Sequence, residues 1–337
     1  MQVPIGTVAA EYIGFMVAFA ANIFLIYLII TQTHHNIGLY KNLMLWFAVF
    51  SLWYSFIDII TQPAIHSYKN CFLVICTSWF KYDKLLGSFI VPSYCASYAL
   101  TVILLAIHFI YRYIAISRPF DIRYFNYPLA IIWPSLFFGV GIFWWINCYF
   151  LLYPNSRTDA YVKETILNNY HDDIEKLSYI GPVYYFIDKN GKYEIQWQNC
   201  FGMINVLAVS VTTFIVIITL GVLIYKKMHS VENIIAEKTK RLQRQLFYSL
   251  SVQTIVPIIF MYTPTTVLFV APIFGIDLGS MANITSICLA LYPALDPLVV
   301  MFFINDYRKY ILRKLSLSMN PSSDVVVHVA GSMNIII

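Results

Sequence analysis

The sequence predicts an all-α protein, a bundle of seven transmembrane helices with its amino terminus outside the membrane. Composition is the first observation behind this prediction, because the chain of 337 residues is 59% hydrophobic and only 12% charged, whereas an average soluble domain has about 25% charged residues. The second observation is a set of seven long apolar stretches. The third is the uneven distribution of basic residues among the segments that join them.

Each apolar stretch is long enough to cross the hydrocarbon layer of a membrane as a helix of about 20 residues. Helices are required because lipid offers the backbone no hydrogen-bond partner, and the sequence lacks the alternating segments of about ten residues that build a transmembrane barrel. The predicted spans are Val8–Ile30, Leu43–Ile65, Leu86–Ile116, Pro128–Phe150, Phe201–Ile224, Ser249–Phe274 and Ser280–Ile304.

Lys and Arg residues give the orientation, because short cytoplasmic loops are enriched in them. Fourteen of the 22 basic residues follow the first, third, fifth or seventh span, and most of the others lie in one long loop with acidic neighbours. We therefore expect the amino terminus outside and the carboxy terminus inside. The net charge of +5 reflects this basic inner face and gives no sign of a nucleic-acid partner.

The long outer loop, residues 151–199, is the one sizeable soluble element that the sequence predicts. Its runs Val183–Ile187 and Lys192–Trp197 are rich in aromatic and β-branched residues and flank Asn190-Gly191, a pair that favours the tight turn of a β-hairpin. We expect this hairpin to cover the bundle, although it could equally serve only to close the loop.

The six cysteines suggest one disulfide on the oxidising outer side, joining Cys71 or Cys76 to Cys200. Ordinary buried thiols are the alternative. Neither the cysteines nor the scattered histidines have metal-ligand spacing, so we expect no metal and no cofactor, and no nucleophile–base pattern indicates an enzyme.

Two basic segments mark the inner face. The loop 225–248 contains Lys240, Arg241 and Arg244 within about one helical turn, and a solvated basic surface would explain them without further function. After the seventh span, a short amphipathic helix places its apolar side toward lipid and its basic side toward lipid headgroups. Its apolar residues are Tyr307, Ile311, Leu312 and Leu315. Residues 1–317 thus form the membrane domain, and residues 318–337 a flexible cytoplasmic tail.

Charged residues inside predicted spans are costly and need a reason. Arg112 lies roughly 38 Å along its helix from the outer end, so we place it at the inner boundary, where an arginine can extend to lipid phosphate at small cost. Asp58 lies toward the outer half of the second span, facing the bundle. Asp296-Pro297 interrupts the seventh span near its inner end. Three prolines, Pro257, Pro264 and Pro272, allow the sixth span to bend.

These residues resemble the motifs of G-protein-coupled receptors. Arg112-Tyr113 matches two positions of the acidic-Arg-Tyr motif, with Tyr111 in place of the acid. Asp296-Pro297 resembles the Asn/Asp-Pro-x-x-Tyr motif, with Val300 in place of the tyrosine, and Met261-Tyr262-Thr263-Pro264 resembles Cys-Trp-x-Pro.

A closer resemblance covers nearly the whole chain. The blocks LYKNLMLWFAVFS, HFIYRYIA, RLQRQLFYSLSVQTIVPIIFMYTPTTVLFVAPIFGIDLG and LYPALDPLVVMFFINDYRKYI look like the nematode serpentine chemoreceptors of the Str class, which include the diacetyl odorant receptor. The resemblance implies an olfactory receptor in the ciliary plasma membrane of chemosensory neurons, with a small-molecule odorant and a heterotrimeric G protein as partners.

The resemblance and the residue patterns together suggest roles for individual residues. Arg112, Tyr113, Lys240, Arg241 and Arg244 would meet the G protein, and Tyr262, Pro264, Asp296 and Pro297 would form the conformational switch. Asp58, Tyr94, Tyr98 and Tyr262 are candidate ligand contacts, although core aromatics explain Tyr94 and Tyr98 equally well. The scarcity of charge in the outer half suggests a neutral ligand. An odorant-gated channel or a transporter is the alternative function, but neither an inverted repeat nor an acidic ring is visible in the sequence.

Overall fold

A computed structural model describes residues 1–33, 39–188, 190–230 and 237–319. Within these residues, seven helical segments are long and apolar enough to cross a membrane, which confirms the predicted fold class. We call their ends outer and inner according to the predicted orientation. The tail beyond residue 319 lies outside the described residues, and residues 318 and 319 still belong to a helix.

The helices follow the predicted spans with shifted ends. They are α1 (Ile5–Gln32), α2 (Tyr40–Thr61), α3 (Lys84–Ser117), α4 (Ile132–Leu151), α5 (Ser156–Tyr170), α6 (Trp197–Ser230), α7 (Glu237–Pro257), α8 (Thr263–Val270), α9 (Asn283–Phe303) and α10 (Asn305–Met319). Short 3-10 turns cover Pro119–Phe125, Leu129–Ile131, Ile174–Lys176, Ala271–Phe274 and Ser280–Ala282. The sixth span consists of α7, a π-helical turn at Ile258–Tyr262, and α8.

The third span is the centre of the bundle. α3 buries most of its length between α2, α4 and α6, whereas α4 and α6 bury little of theirs and therefore face lipid over most of their surface. The Asp83 carboxylate begins α3 by accepting a hydrogen bond from the Leu86 amide at 3.0 Å, as a helix N-cap does. On the other side of the bundle, α1 packs closely on α9, where a Cβ at Gly14 would lie 2.5 Å from the Ala290 carbonyl oxygen.

Two outer loops fold together as a lid that the sequence analysis did not predict. The lid comprises β1 (Pro63–Tyr68), β2 (Cys71–Cys76), β3 (Tyr179–Ile180) and α5, with β2 pairing antiparallel to both other strands. The second span therefore ends at Thr61 rather than Ile65, because Gln62 adopts a left-handed conformation (φ 45°) that turns the chain into β1.

The six residues of β2 are all buried because both faces of the sheet are covered. Phe72, Val74 and Cys76 pack against the bundle, while Leu73 and Ile75 pack against α5 on the outer side. Alternate residues of a strand point to opposite faces, so a strand covered on both sides has a continuous apolar sequence. This explains the run CFLVIC at 71–76.

The predicted hairpin is present but does not roof the bundle by itself. β4 (Tyr185–Ile187) pairs antiparallel with β5 (Tyr193–Ile195), and Gly191 supplies the positive φ of 73° that the turn needs. All three residues of β5 are exposed. The covering role that we predicted for this hairpin belongs mainly to β1, β2 and β3.

The predicted disulfide is absent, because all six cysteines are free thiols. The three candidates have separate local partners. Cys71 Sγ donates to the Tyr68 carbonyl oxygen at 3.1 Å, Cys76 Sγ lies 3.3 Å from Ser78 Oγ, and Cys200 Sγ donates to the Tyr184 carbonyl oxygen at 3.5 Å. Burial raises the pKa of the Cys71 thiol to about 12, so this thiol is protonated and unreactive at neutral pH.

Candidate functional site

A small cavity of about 70 Å³ lies in the outer half of the bundle, directly beneath the lid. Its roof comes from the lid residues Ile65, Phe72, Val74 and Ile180, and its walls from α3, α4, α6, α8 and α9. Among the described residues, none with a charged side chain lines it. Its polar groups are hydroxyls, thiols and one indole N–H, and they belong to Tyr94, Cys95, Tyr98, Trp144, Cys148, Thr265 and Thr285.

Two of the predicted ligand contacts, Tyr94 and Tyr98, lie on this cavity. The Tyr98 hydroxyl is 3.2 Å from Thr265 Oγ1 on α8, so α3 is joined to the sixth span at the cavity wall. The segment between β3 and β4 is joined to the same span, because the Tyr184 hydroxyl donates to the Phe269 carbonyl oxygen at 2.8 Å. An occupant of the cavity would therefore touch groups that hold the outer part of the sixth span.

The other two predicted contacts, Asp58 and Tyr262, do not line this cavity. Asp58 is buried on α2, where its charge interacts with that of Glu11 on α1. Tyr262 packs on Phe214 of α6, with the ring centroids 5.3 Å apart. Both positions lie within the bundle as predicted, but neither is directly available to a ligand in this cavity.

A larger groove of about 740 Å³ lies between α2, α3 and α4, but its position argues against a ligand site. It is lined by Trp46, Trp53 and Phe138, whose side chains are 40%, 49% and 55% exposed. In a membrane this exposed apolar surface would face lipid, so acyl chains are the expected occupants of the groove. The smaller cavity beneath the lid is the better candidate despite its size.

The sixth span changes helix type just before the predicted switch residue Pro264. The Thr263 amide and its hydroxyl both donate to the Ile258 carbonyl oxygen, which gives the wide π-helical turn. Pro264 lies in the first turn of α8, where its missing amide leaves the α-helical bond pattern incomplete. A π-helical turn combined with a proline is a known cause of helix bending, so the bend that we predicted for this span has a structural basis.

Arg112 is buried, contrary to our expectation of a solvated arginine at the inner boundary. It lies near the inner end of α3, as the rise per residue along the helix predicted, yet only 1% of the residue is exposed. The guanidinium lies over the ring of Tyr40, 5.1 Å from its centroid, and Tyr40 in turn stacks on Tyr111 at 5.5 Å. The reason for the difference is Tyr40, which begins α2 and covers the arginine from the side.

Asp296 is paired with Gln253, which the sequence analysis did not identify. Gln253 Nε2 on α7 lies 3.3 Å from Asp296 Oδ2 on α9, and both residues are buried. A cavity of about 10 Å³ beside them is also lined by Tyr40 and His108. Tyr40 thus contacts Arg112 and lines this cavity together with Asp296 and Gln253, and electrostatic interactions connect it to Arg112 and to Asp296. Pro297 follows within α9.

The remaining inner residues lie at the surface or outside the described side chains. Tyr113 is half-buried and Arg244 is exposed, whereas Lys240 and Arg241 belong to α7 but their side chains are outside the described residues. The structure adds Phe120, which is 95% exposed in the 3-10 turn Pro119–Phe125. A fully exposed phenylalanine next to the inner end of α3 is typical of a contact surface.

Some of the missed residues left a signal in the sequence. Glu11 falls on the buried stripe of α1 that also includes Thr7, Gly14 and Ala18, at the spacing of one helix face. The run at 71–76 has the composition of a buried strand. The pairing of Gln253 with Asp296 leaves no local signal, because the two residues come from different spans.

Comparisons with known proteins agree with this architecture. The family described as "Serpentine type 7TM GPCR chemoreceptor Str" matches residues 7–312. A serpentine receptor class r-10 of Caenorhabditis briggsae is 35% identical over 94% of this chain and 92% of its own length, and that of Caenorhabditis elegans is 36% identical over 91% and 90%. The G-protein coupled receptor str-33 of Caenorhabditis elegans is 23% identical over 89% and 87%. The relatives are named as receptors and not as enzymes, and the chain belongs to the Str family of serpentine seven-transmembrane chemoreceptors.

Proposed function

We propose that this receptor binds a small, neutral odorant in the cavity beneath the lid and activates a heterotrimeric G protein at the inner face. The observation that carries the proposal is the cavity itself, which is roofed by the lid, has no charged side chain among its described lining residues, and adjoins the sixth span. A membrane receptor with this cavity selects its ligand by shape and by a few hydroxyl contacts.

The size and chemistry of the cavity limit the ligand. Sites for drug-sized ligands occupy about 300–1,000 Å³, whereas this cavity has about 70 Å³. A buried apolar cavity of about 150 Å³ is sufficient for benzene. A compound with a handful of non-hydrogen atoms therefore matches the cavity, and one hydrogen-bond acceptor could meet Tyr94, Tyr98 or Thr265. A charged ligand would find no counter-charge.

Transmission would run through the sixth span. A ligand that separates Tyr98 from Thr265, or shifts Phe269 relative to Tyr184, would move the outer part of α8, and the π-helical turn would allow α7 to follow. A shift from 1% to 99% active receptor requires about 5.5 kcal/mol of differential binding. Small ligands seldom supply that much, so we expect partial population shifts.

The inner face would bind the G protein when α7 moves outward. That movement would separate Gln253 from Asp296 and uncover Arg112, which is held against Tyr40 in the described conformation. Arg112 and Tyr113 would then meet a terminal helix of the G protein, flanked by Phe120 and by Lys240, Arg241 and Arg244 of α7. Residues 1–317 would form this signalling unit, with residues 318–337 as its cytoplasmic tail.

We further propose that the receptor functions in olfaction, in the plasma membrane of sensory cilia. The family membership of the chain supports this location. Imaging of the tagged receptor in chemosensory neurons would test it, and exclusive retention in the cell body would contradict it.

Functional expression tests the proposed activity. Cells that express the receptor are exposed to a panel of volatile and water-soluble compounds, with calcium or cyclic-nucleotide signals as the readout. We expect responses to a few small neutral compounds, and their loss when G-protein activation is blocked. Responses that persist as membrane current under the block would contradict the proposal and support an odorant-gated channel or a transporter.

A further inference from the structure

Three sulfur-bearing side chains line the cavity beneath the lid. They are Cys95 of α3, Cys148 of α4 and Met203 of α6, so each comes from a different helix. Cys148 and Met203 are both 2% exposed, and Cys95 is half-buried. The cavity of about 70 Å³ thus has soft, polarisable sulfur groups on its wall, which the proposed odorant contacts do not use.

The two thiols of this set interact with each other. Cys95 and Cys148 are both free thiols, and a side-chain interaction connects them. By contrast, Cys71, Cys76 and Cys200 each lie against a nearby oxygen atom. A thiol is only a weak hydrogen-bond donor and acceptor, so a pair of thiols gains little from mutual contact. Two thiols that meet at the wall of a cavity are in a position to bind the same atom.

Hydrogen bonds between the helices hold this part of the cavity wall together. Asn147 Nδ2 on α4 donates to the Gly202 carbonyl oxygen on α6 at 3.1 Å, and the next residue of each helix is a sulfur-bearing one. Trp145 Nε1 on α4 donates to Ser93 Oγ on α3 at 3.1 Å, two residues before Cys95. Metal sites need ligands that neighbouring groups hold in place, and these bonds provide that support.

We propose that Cys95, Cys148 and Met203 bind one copper(I) ion. Soft thiolate and thioether ligands select this ion. In the binding step the S–H bond of one cysteine breaks, its proton passes to water, a sulfur–copper bond forms, and the copper stays in the +1 state. One thiolate and one monovalent ion are neutral together, so the site needs no counter-charge. This matches a cavity that has no charged side chain among its described lining residues.

The dimensions of an ion site agree with side chains in contact. Bonds between a metal ion and a thiolate sulfur are about 2.3 Å long, so two sulfurs on one ion lie about 4.0–4.6 Å apart. Atoms of side chains in contact have a similar separation, about 4.0–4.5 Å, so the ion requires little movement of the helices. It would lie at the wall formed by α3, α4 and α6, and the wall formed by α8 and α9 would remain for an odorant.

Other metal ions match the three ligands less well. Zinc in structural sites takes four ligands, and no group of three or more His, Cys, Asp or Glu side chains in the described part of the chain could hold a metal ion. Calcium and magnesium take oxygen ligands, whereas the third ligand here is the thioether of Met203. Spacing along the sequence gives no sign of the site, because its ligands come from three helices.

The test titrates the purified, reduced full-length receptor in lipid nanodiscs with copper(I) in the absence of oxygen, odorant and G protein. A coloured copper(I) chelator competes for the ion and reports the affinity, and X-ray absorption reports the atoms bonded to it. We expect one copper(I) ion per receptor, bound through sulfur. We also expect a saturable rise in melting temperature, as for any ligand that binds only the folded state.

Substitutions at the cavity wall identify the ligands. Cys95→Ser and Cys148→Ser should each weaken copper(I) binding by more than about 100-fold, because loss of a mere supporting group already costs about 10–100-fold. Met203→Leu keeps the size of the side chain and should weaken binding about tenfold. Cys288→Ser replaces another half-buried cysteine that does not line the cavity and should bind like the wild type. Melting temperatures without copper show that each variant is folded.

Four results would overturn the proposal. Binding that is unchanged in both Cys95→Ser and Cys148→Ser would place the ion elsewhere, and tighter binding of zinc than of copper(I) would identify a different ion. Absence of binding by the reduced receptor would show that these side chains only pack the cavity wall. A disulfide between Cys95 and Cys148 in receptor purified without oxygen would assign the pair to redox chemistry. Because the assay contains no odorant and no G protein, its failure is distinguishable from failure of the proposed function.

Discussion

The inner and outer halves of the bundle bury ionisable side chains in opposite ways. In the inner half, Arg112 lies against Tyr40 and Asp296 is paired with Gln253, so both groups have protein partners, and a movement of α7 would separate Gln253 from Asp296. In the outer half, Glu11 and Asp58 have unpartnered oxygens, while the neighbouring cavity has no charged side chain among its described lining residues. The difference is that the inner half holds its ionisable groups against protein partners, whereas the outer half keeps two buried carboxyls apart from an uncharged cavity.

The largest effect should follow from removing the inner arginine. We expect Arg112→Ala to abolish odorant-evoked G-protein activation, because neither the contact with Tyr40 nor the proposed contact with the G protein can form. Signalling is measured by second-messenger assay, normalised to surface expression. Arg123→Ala removes an exposed arginine of the same inner region and should signal normally. Normal signalling by Arg112→Ala would show that G-protein activation does not need this arginine, and would contradict the role proposed for the inner half.

Filling the outer cavity should have the next largest effect. Val206 lines the cavity and is 3% exposed, so Val206→Phe should raise the odorant concentration for half-maximal response by tenfold or more, at about 1.4 kcal/mol for each factor of ten. Val211→Phe places the same side chain on a position of α6 that is 53% exposed and should leave the response unchanged. Equal responses of both variants would exclude this cavity as the ligand site.

The exposed phenylalanine at the inner surface should have a smaller effect. We expect Phe120→Ala to reduce G-protein activation several-fold at saturating odorant, because truncation of an aromatic anchor typically costs about 1–2 kcal/mol of binding. The odorant concentration for half-maximal response should change little. Phe120→Leu keeps an apolar side chain and should restore most of the activity. An unaffected Phe120→Ala receptor would show that this residue makes no contact with the G protein.

The buried pair of Gln253 and Asp296 in the inner half should contribute to the stability of the receptor. Gln253→Ala removes the donor to Asp296 and should lower the free energy of unfolding by about 1–3 kcal/mol, measured by denaturant unfolding in micelles. Gln198→Ala removes an exposed side chain that donates to the Phe150 carbonyl oxygen and should cost less. Equal losses in the two variants would mean that burial does not strengthen the inner pair.

The stability of the lid should depend on pH because of His66. Burial lowers the pKa of His66 to about 4 from 6.5, so the unfolded lid binds a proton more readily than the folded one. Stability of the lid is therefore greatest above about pH 6.5 and falls as the pH drops toward 4. Between about pH 7 and pH 5 the loss should be on the order of 1–2 kcal/mol.

Hydrogen exchange of the β1 and β2 amides, corrected for the intrinsic effect of pH on exchange, measures this dependence. His66→Gln should reduce it, whereas replacement of the exposed His171 by Gln should not. If the pH dependence of exchange is the same in His66→Gln as in the wild type, it comes from another group of the lid.

The sequence predicted the parts of the molecule that local patterns determine. The seven spans follow from apolar length, and the β4–β5 turn follows from Asn190-Gly191. Tyr94 and Tyr98, which we named as candidate ligand contacts, line the cavity, and their contact with a ligand stays a prediction. The lid was missed because β2 pairs with β1 and with the distant β3, so its position depends on contacts between two loops. The burial of Arg112 was missed for a similar reason, since counting along α3 gives depth but cannot show that Tyr40 of another helix covers it.

The most direct test of ligand-driven signalling uses the purified receptor in proteoliposomes with and without a heterotrimeric G protein. A small neutral compound that activates the receptor in cells is added, and both nucleotide exchange on the G protein and ion flux across the membrane are measured. We expect the compound to accelerate exchange on the wild-type receptor but not on Val206→Phe or Arg112→Ala, and to cause no flux. Odorant-evoked flux in the absence of the G protein, without accelerated exchange in its presence, would contradict the proposed receptor mechanism.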